Sequence, residues 1–269
     1  MSVVLDTGAL LTLWERALGQ PSTDRDAALL QAWDGAPHAH AQAHDADTLG
    51  ARNVRLLDMH AHLFGASLEL LSHCPACGTA VAFDADCASL TSGMQRTPQG
   101  DAPSHRIEAD GVAVEFRLPA AADIAAAAAS ASASSSASAS ASRRGATGAP
   151  DDEEFARRLL ERCVLTCVRQ GTPVDVHELP APILDALSRA MESLDPGASV
   201  SFALACPQCL HAWESRLDVG DVVWQKVRAA AERLLLDVDV LARAYGWTER
   251  EVLRLHPVRR AAYLQLVTA

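Results

Sequence analysis

Two short cysteine pairs constrain this chain more than anything else in it: Cys74-Pro75-Ala76-Cys77 and Cys206-Pro207-Gln208-Cys209. A Cys-x-x-Cys turn sets two sulfurs on the same side of a tight loop, and amides within the turn can donate to the thiolates. The proline fixes φ, and Gly78 after the first pair permits a left-handed residue. Two such turns supply four thiolates, the set of a closed tetrahedral structural zinc. The expected ligands are therefore Cys74, Cys77, Cys206 and Cys209, with Zn2+ as the cofactor. A site filled by four protein ligands has no open position, so it serves folding rather than catalysis.

The surroundings of the pairs resemble each other. Ser67-Leu-Glu-Leu-Leu-Ser-His-Cys74 parallels Ser199-Val-Ser-Phe-Ala-Leu-Ala-Cys206, and Ala82-Phe83-Asp84 parallels Ala212-Trp213-Glu214. Each context reads as strand, tight turn, strand. The spacing predicts two half-ribbons that meet, although 128 residues separate Cys77 from Cys206. Three other readings fit the same residues: a rubredoxin-like iron site, a thioredoxin-like redox pair, and apolar burial without metal.

Composition bounds the rest. Of 269 residues only 4% are aromatic, so the core is aliphatic. The formal charge of −11 argues against a nucleic-acid binder, which needs a basic face, though the segment after Gln225 is locally basic. No stretch reaches the roughly 18 uninterrupted apolar residues of a membrane span. The opening residues carry no basic start followed by an apolar run, so a soluble, cytoplasmic protein is expected. Seven cysteines there are ligands or small buried hydrophobes rather than disulfides.

The fold expected is α+β and predominantly helical, with a zinc-ribbon-like pair of CPxC hairpins brought together from the two halves of the chain. Residues 1–66 read as a helical region: a helix with Leu10, Leu13, Trp14, Ala17 and Leu18 at helical spacing, a second from about Ser22 to Trp33, and a third from Thr48 to Phe64. Residues 67–119 hold the first hairpin and a β region, in which Asp110-Gly111 turns Arg106–Ala109 back onto the alternating Val112, Val114, Phe116 and Leu118. Residues 120–150 form an alanine- and serine-rich linker, of which 130–142 is alanine and serine alone. Residues 151–198 read as helical, with Phe155, Leu159, Leu160, Cys163 and Cys167 in one stripe. Residues 199–218 hold the second hairpin. Residues 219–269 are helical: a long helix to Tyr245, a capping box at Thr248 and Glu251, and a last helix from Pro257 burying Tyr263, Leu264 and Val267.

Other candidate groups are weaker. Cys163 and Cys167 stand four apart among apolar neighbours and read as core, as does Cys87. His38, His40 and His44 lie in a polar loop, and His60 and His62 point to different helix faces. No acid–histidine–nucleophile set and no phosphate loop can be assembled, so an enzyme is not expected.

Several segments in order resemble one family, the baseplate proteins of contractile-tail phages and of phage-derived contractile injection systems, often labelled hub assembly chaperones. They are Leu13-Trp14-Glu15-Arg16-Ala17-Leu18 with Asp24-Arg25, Leu49-Gly50-x-Arg52, Leu63-Phe64-Gly65, the first CPxC-Gly, Phe116-Arg117-Leu118-Pro119 and Leu159-Leu160-Glu161-Arg162-Cys163. Ala205-Cys206-Pro207-x-Cys209, Ala244-Tyr245-Gly246-Trp247-x-Glu249 and Arg260-x-x-Tyr263-Leu264 complete the set. Two departures stand out: Leu210 follows the second pair where the family has glycine, and Ala120-Ala121-Ala122-Asp123 follows Pro119 where it has threonine and polar residues. The resemblance implies a non-enzymatic role among baseplate, spike or hub proteins, with incorporation into the particle an open alternative to cytoplasmic residence. A zinc-ribbon regulatory or nucleic-acid-binding accessory protein is the rival reading.

Overall fold

The computed structural model describes residues 7–34, 47–94, 104–127 and 150–268. In chain order these form α1 (Thr7–Ala17), α2 (Ser22–Asp34), α3 (Leu49–Phe64), β1 (Ser67–His73), β2 (Ala80–Asp86), α4 (Cys87–Gly93), β3 (His105–Ala109) and β4 (Val112–Phe116). A helical stretch over 121–127 follows. The second half contains α5 (Pro150–Cys163), β5 (Val164–Arg169), β6 (Thr172–Pro173), α6 (Ala181–Leu194), β7 (Val200–Ala205), β8 (Ala212–Leu217), α7 (Val219–Tyr245), α8 (Glu249–Arg254) and α9 (Pro257–Thr268). The chain is thus mixed helix and sheet. Among the described residues no helix is long and apolar enough to cross a membrane. The histidine loop at 38–44 and the alanine–serine run at 130–142 lie outside the described residues.

The chain divides into two compact units, one of 1–41, 56–65 and 218–269, the other of 42–55 and 66–217. The first is helical. Leu11 on α1 packs with Ala231 and Leu234 on α7. Arg25 on α2 lies over the Trp224 ring, 5.3 Å from its centroid, and pairs with Asp221 at 3.3 Å. The α7 helix ends at Gly246, whose φ of 70° is the left-handed closure that glycine allows. The Thr248–Glu251 capping box then opens α8. Tyr245, Trp247 and Tyr263 stack and edge into one another with centroids 4.7–5.6 Å apart.

In the second unit a four-stranded sheet, ordered β3-β4-β5-β6, packs one face on α6. Its core joins Val112, Val114 and Phe116 to Ile183, Leu187 and Met191. Asp110 and Gly111, both at positive φ, make the tight β3–β4 turn. The start of α3 is held from across the unit: Asp195 Oδ2 accepts the Gly50 amide at 2.9 Å, and Asn53 Nδ2 donates to the Gly197 carbonyl at 2.8 Å. A Cβ on Gly50 would lie 1.8 Å from Asp195 Oδ1, so any larger residue there would displace the carboxylate that accepts the Gly50 amide.

Several expectations need correction. Cys163 and Cys167 do not share a helix, because α5 ends at Cys163 and Cys167 lies in β5. The run Val164-Leu-Thr-Cys-Val168 is rich in β-branched residues, and Gln170-Gly171, both at positive φ, turn it onto β6. The stretch 151–198 is therefore helix, strands and helix rather than helical throughout. Leu18 lies past the end of α1 and is 53% exposed. On α9 Tyr263 and Leu264 are only half-buried while Val267 is exposed. Terminal helices have one face to cover, and the periodicity does not say which of two adjacent apolar stripes finds a neighbour.

Candidate metal centre

The two CPxC turns sit at the tips of two antiparallel hairpins, β1–β2 and β7–β8. The hairpins repeat one design. His73 pairs with Ala80, and Ala205 with Ala212, so each closes on the residues flanking its CPxC turn. The Cys74 amide donates to the Thr79 carbonyl at 2.9 Å, and the Cys206 amide to the His211 carbonyl at 2.9 Å. The Gly78 amide donates to Cys74 O at 2.8 Å, and the Leu210 amide to Cys206 O at 3.0 Å. This register equates Val81 with Trp213, two residues away from the parallel drawn on Phe83.

The hairpins bring Cys74, Cys77, Cys206 and Cys209 together, with all four sulfurs within 4.8 Å of one another. Cys74 Sγ lies 3.6 Å from Cys209 Sγ, and Cys77 Sγ 3.5 Å from Cys206 Sγ. A tetrahedral ion with metal–sulfur bonds of about 2.3 Å sets its sulfurs about 3.8 Å apart. The separations exceed a disulfide length of about 2.05 Å, and the cysteines are free. Each turn gives one buried sulfur residue, Cys74 or Cys206, and one exposed, Cys77 or Cys209.

The electrostatics favour a cation. The Thr79 hydroxyl and amide bring Cys77 down to about 6, and the Cys209 and Gln208 amides lower Cys206. Cys209 moves the other way: its largest single influence, the His211 amide, favours the thiolate, but Cys77, loss of hydration, Cys74 and Cys206 together drive it up to about 12. Four sulfurs this close cannot all ionise without a positive charge among them. A bound divalent ion supplies that charge and removes the conflict.

A second ring of contacts ties the hairpins. Ser72 and Ser215 hydroxyls lie 3.0 Å apart, and Trp213 Nε1 donates to Ser72 Oγ at 3.4 Å. Phe83 meets Phe202 edge-on at 5.1 Å, and the Thr79 hydroxyl meets the Gln208 side-chain amide. Of these, the serines, Thr79 and Gln208 escape a reading by motif. Their positions beside the pairs are visible in the sequence, but their contacts reach from one hairpin to the other.

The remaining candidates do not gather. Among the described residues no other group of three or more ligand-type side chains comes together. His60 is buried beside Phe64, its pKa lowered by burial, whereas His62 is exposed and meets Trp33 edge-on at 5.2 Å. Cys87 is buried at the start of α4. Cys163 and Cys167 lie in the core of the sheet unit, and burial pushes the Cys163 thiol up to about 12.

No protein-family model matches the chain. Searches of curated proteins and of solved structures likewise return no match. The geometry defines a four-cysteine centre able to hold a metal ion.

Proposed function

We propose that this chain is a non-enzymatic structural or assembly protein of a contractile, phage-tail-like baseplate, built around a structural zinc and working through contacts with baseplate, spike or hub proteins. The observation that carries the reading is the closed set of four cysteines, assembled from hairpins 128 residues apart. Four thiolates saturate a tetrahedral zinc, leaving no position for substrate or water, so the ion acts on folding. Zinc fits better than iron because no other feature of the chain serves electron transfer. The paired hairpins then form a zinc ribbon split between two distant segments.

The baseplate assignment rests on the ordered motifs. Their residues hold scaffold positions. Gly50 lies under the Asp195 carboxylate, Arg117 forks onto Asp123, and Tyr245, Trp247 and Tyr263 form one ring cluster. Exposed Leu236, Val258 and Leu266 give the C-terminal helices apolar area suited to a protein partner. The test is genetic and biochemical. Cells carrying the gene should lose assembled contractile particles when it is deleted and regain them on complementation. Normal yields of complete, contractile particles without the gene would overturn the reading. Mass spectrometry of purified particles then separates a resident component from one that leaves the finished assembly.

A further inference from the structure

The sulfurs of the metal centre face one another across the two hairpins. Cys77 Sγ lies 3.5 Å from Cys206 Sγ, and Cys74 Sγ 3.6 Å from Cys209 Sγ. Each of these pairs joins one hairpin to the other, and each has one exposed cysteine and one buried one. A disulfide of about 2.05 Å needs either pair to close by only about 1.5 Å.

Contacts that use no sulfur hold the hairpins face to face. Ser72 meets Ser215, Trp213 donates to Ser72, Phe83 meets Phe202, and Thr79 meets Gln208. The cysteines therefore stay opposite each other when an ion leaves. Each CPxC turn is already closed by the Gly78 or Leu210 amide on its first cysteine's carbonyl, so joining its own two sulfurs adds nothing between the hairpins. The remaining cysteines do not compete for an oxidant in solvent. Cys87, Cys163 and Cys167 are at most 6% exposed, whereas Cys77 and Cys209 are open.

We propose, on the structural-zinc reading above, that the centre is a redox clamp: under hydrogen peroxide it exchanges its ion for two disulfides between the hairpins, Cys77–Cys206 and Cys74–Cys209. The Cys77 thiolate attacks one peroxide oxygen, the O–O bond breaks, hydroxide leaves and Cys77 becomes a sulfenic acid. The Cys206 thiolate then attacks that sulfur, and the S–O bond breaks as the S–S bond forms, releasing a second hydroxide. The two sulfurs lose two electrons to one peroxide, and each hydroxide takes a proton from solvent. Cys209 and Cys74 repeat the step with a second peroxide. The thiolate is the metal ligand, so Zn2+ leaves as the disulfides form. The link between the hairpins changes from ionic to covalent without being lost.

The test uses the full chain, its zinc content measured first. Hydrogen peroxide is titrated in, a colorimetric chelator reads released zinc, remaining thiols are alkylated, and unreduced tryptic peptides are analysed by mass spectrometry. About two equivalents of peroxide should release the zinc. Trypsin separates the hairpins at Arg96 and Arg189, so the expected product is two peptides held together by disulfides, with fragment ions joining Cys77 to Cys206 and Cys74 to Cys209. Cys87, Cys163 and Cys167 should be recovered as thiols. Amide protection of β1, β2, β7 and β8 should survive oxidation but not removal of zinc by a chelator. Zinc release with disulfides confined to each CPxC turn would overturn the proposal. So would retention of zinc under about a tenfold excess of peroxide, or sulfinic acids in place of disulfides. Folded protein without zinc before any peroxide is added would instead remove the structural-zinc reading, and the redox clamp with it.

Discussion

Leu210 occupies the position after the second cysteine pair at φ 60° and is 82% exposed, where Gly78 at φ 75° occupies the matching position of the first. The turn needs that conformation because the amide of this residue closes back onto the first cysteine's carbonyl. A side chain there costs roughly 1 kcal/mol, and Leu210 makes little packing in return. Leu210→Gly should raise stability by up to about 1 kcal/mol, part of the gain being lost to the freer unfolded chain. A lower melting temperature for Leu210→Gly would show that the leucine has a packing role. Asp123 is a second residue whose weight appears only in the fold. Arg117 grips it through two bonds of 2.6 and 2.7 Å, Arg162 lies 3.4 Å away, and the Ala120 amide donates at 3.0 Å. Burial alone would raise its carboxyl, but Arg117, the Ala120 amide and Arg162 hold it below the ordinary carboxylate range. The folded value is thus lower than the unfolded one. Its contribution is complete above the ordinary range and fades as pH falls through the folded value. Asp123→Asn should cost about 1.5–3 kcal/mol at neutral pH. Its stability should also fall less steeply than the parent's from about pH 5 to 3, as read from urea melts across that range. Parallel acid limbs would rule out this carboxylate as a source of the acid sensitivity.

At the level of elements, the hairpins illustrate how local and distant forces divide the work. Each β-turn forms from a few neighbouring residues: Asp110-Gly111 is a standard tight-turn pair, while Gln170-Gly171 does the same with a less familiar first residue. That substitution explains why β5 and β6 are harder to read, and why Cys163 and Cys167 look like one helical face when they are a helix end and a strand. Neither CPxC hairpin is expected to be stable alone, since two strands expose most of their surface. Each depends on the other through the four sulfurs and through contacts such as Phe83 with Phe202. Cys206→Ser should therefore increase amide exchange not only in β7 and β8 but also from Ser67 to Asp86. Damage confined to the second hairpin would mean that the two pairs do not share an ion.

For the whole molecule, the metal is expected to act as a clamp. Joining Cys77 to Cys206 closes a loop over 128 intervening residues, and the entropy involved grows only slowly with that length. Ligation adds more, with apparent values of order 10 kcal/mol for small zinc peptides. Protein purified without chelator should contain about one equivalent of zinc by elemental analysis. Less than about a tenth of an equivalent in folded protein would exclude a structural zinc site. All four ligands belong to the unit of 42–55 and 66–217. Prolonged chelation should accordingly unprotect amides of the hairpins before those of α1 and α7. Loss of protection at equal rates in both units would refute that ordering.

What the sequence determined by itself is what short-range energetics can decide. The positions of most helices and strands, the Asp110-Gly111 turn, the Thr248–Glu251 capping box and the chemistry of the two CPxC turns all depend on residues a few places apart. Tertiary structure decided which distant groups meet. The pairing of Cys74 with Cys209 and of Cys77 with Cys206, the Asp195 carboxylate over Gly50, and the burial of Arg260 each join residues whose spacing carries no periodic signal. So did the choice of buried face on α1 and α9, because an apolar stripe reports only that a helix can be covered, whereas the neighbour that covers it comes from packing the whole unit.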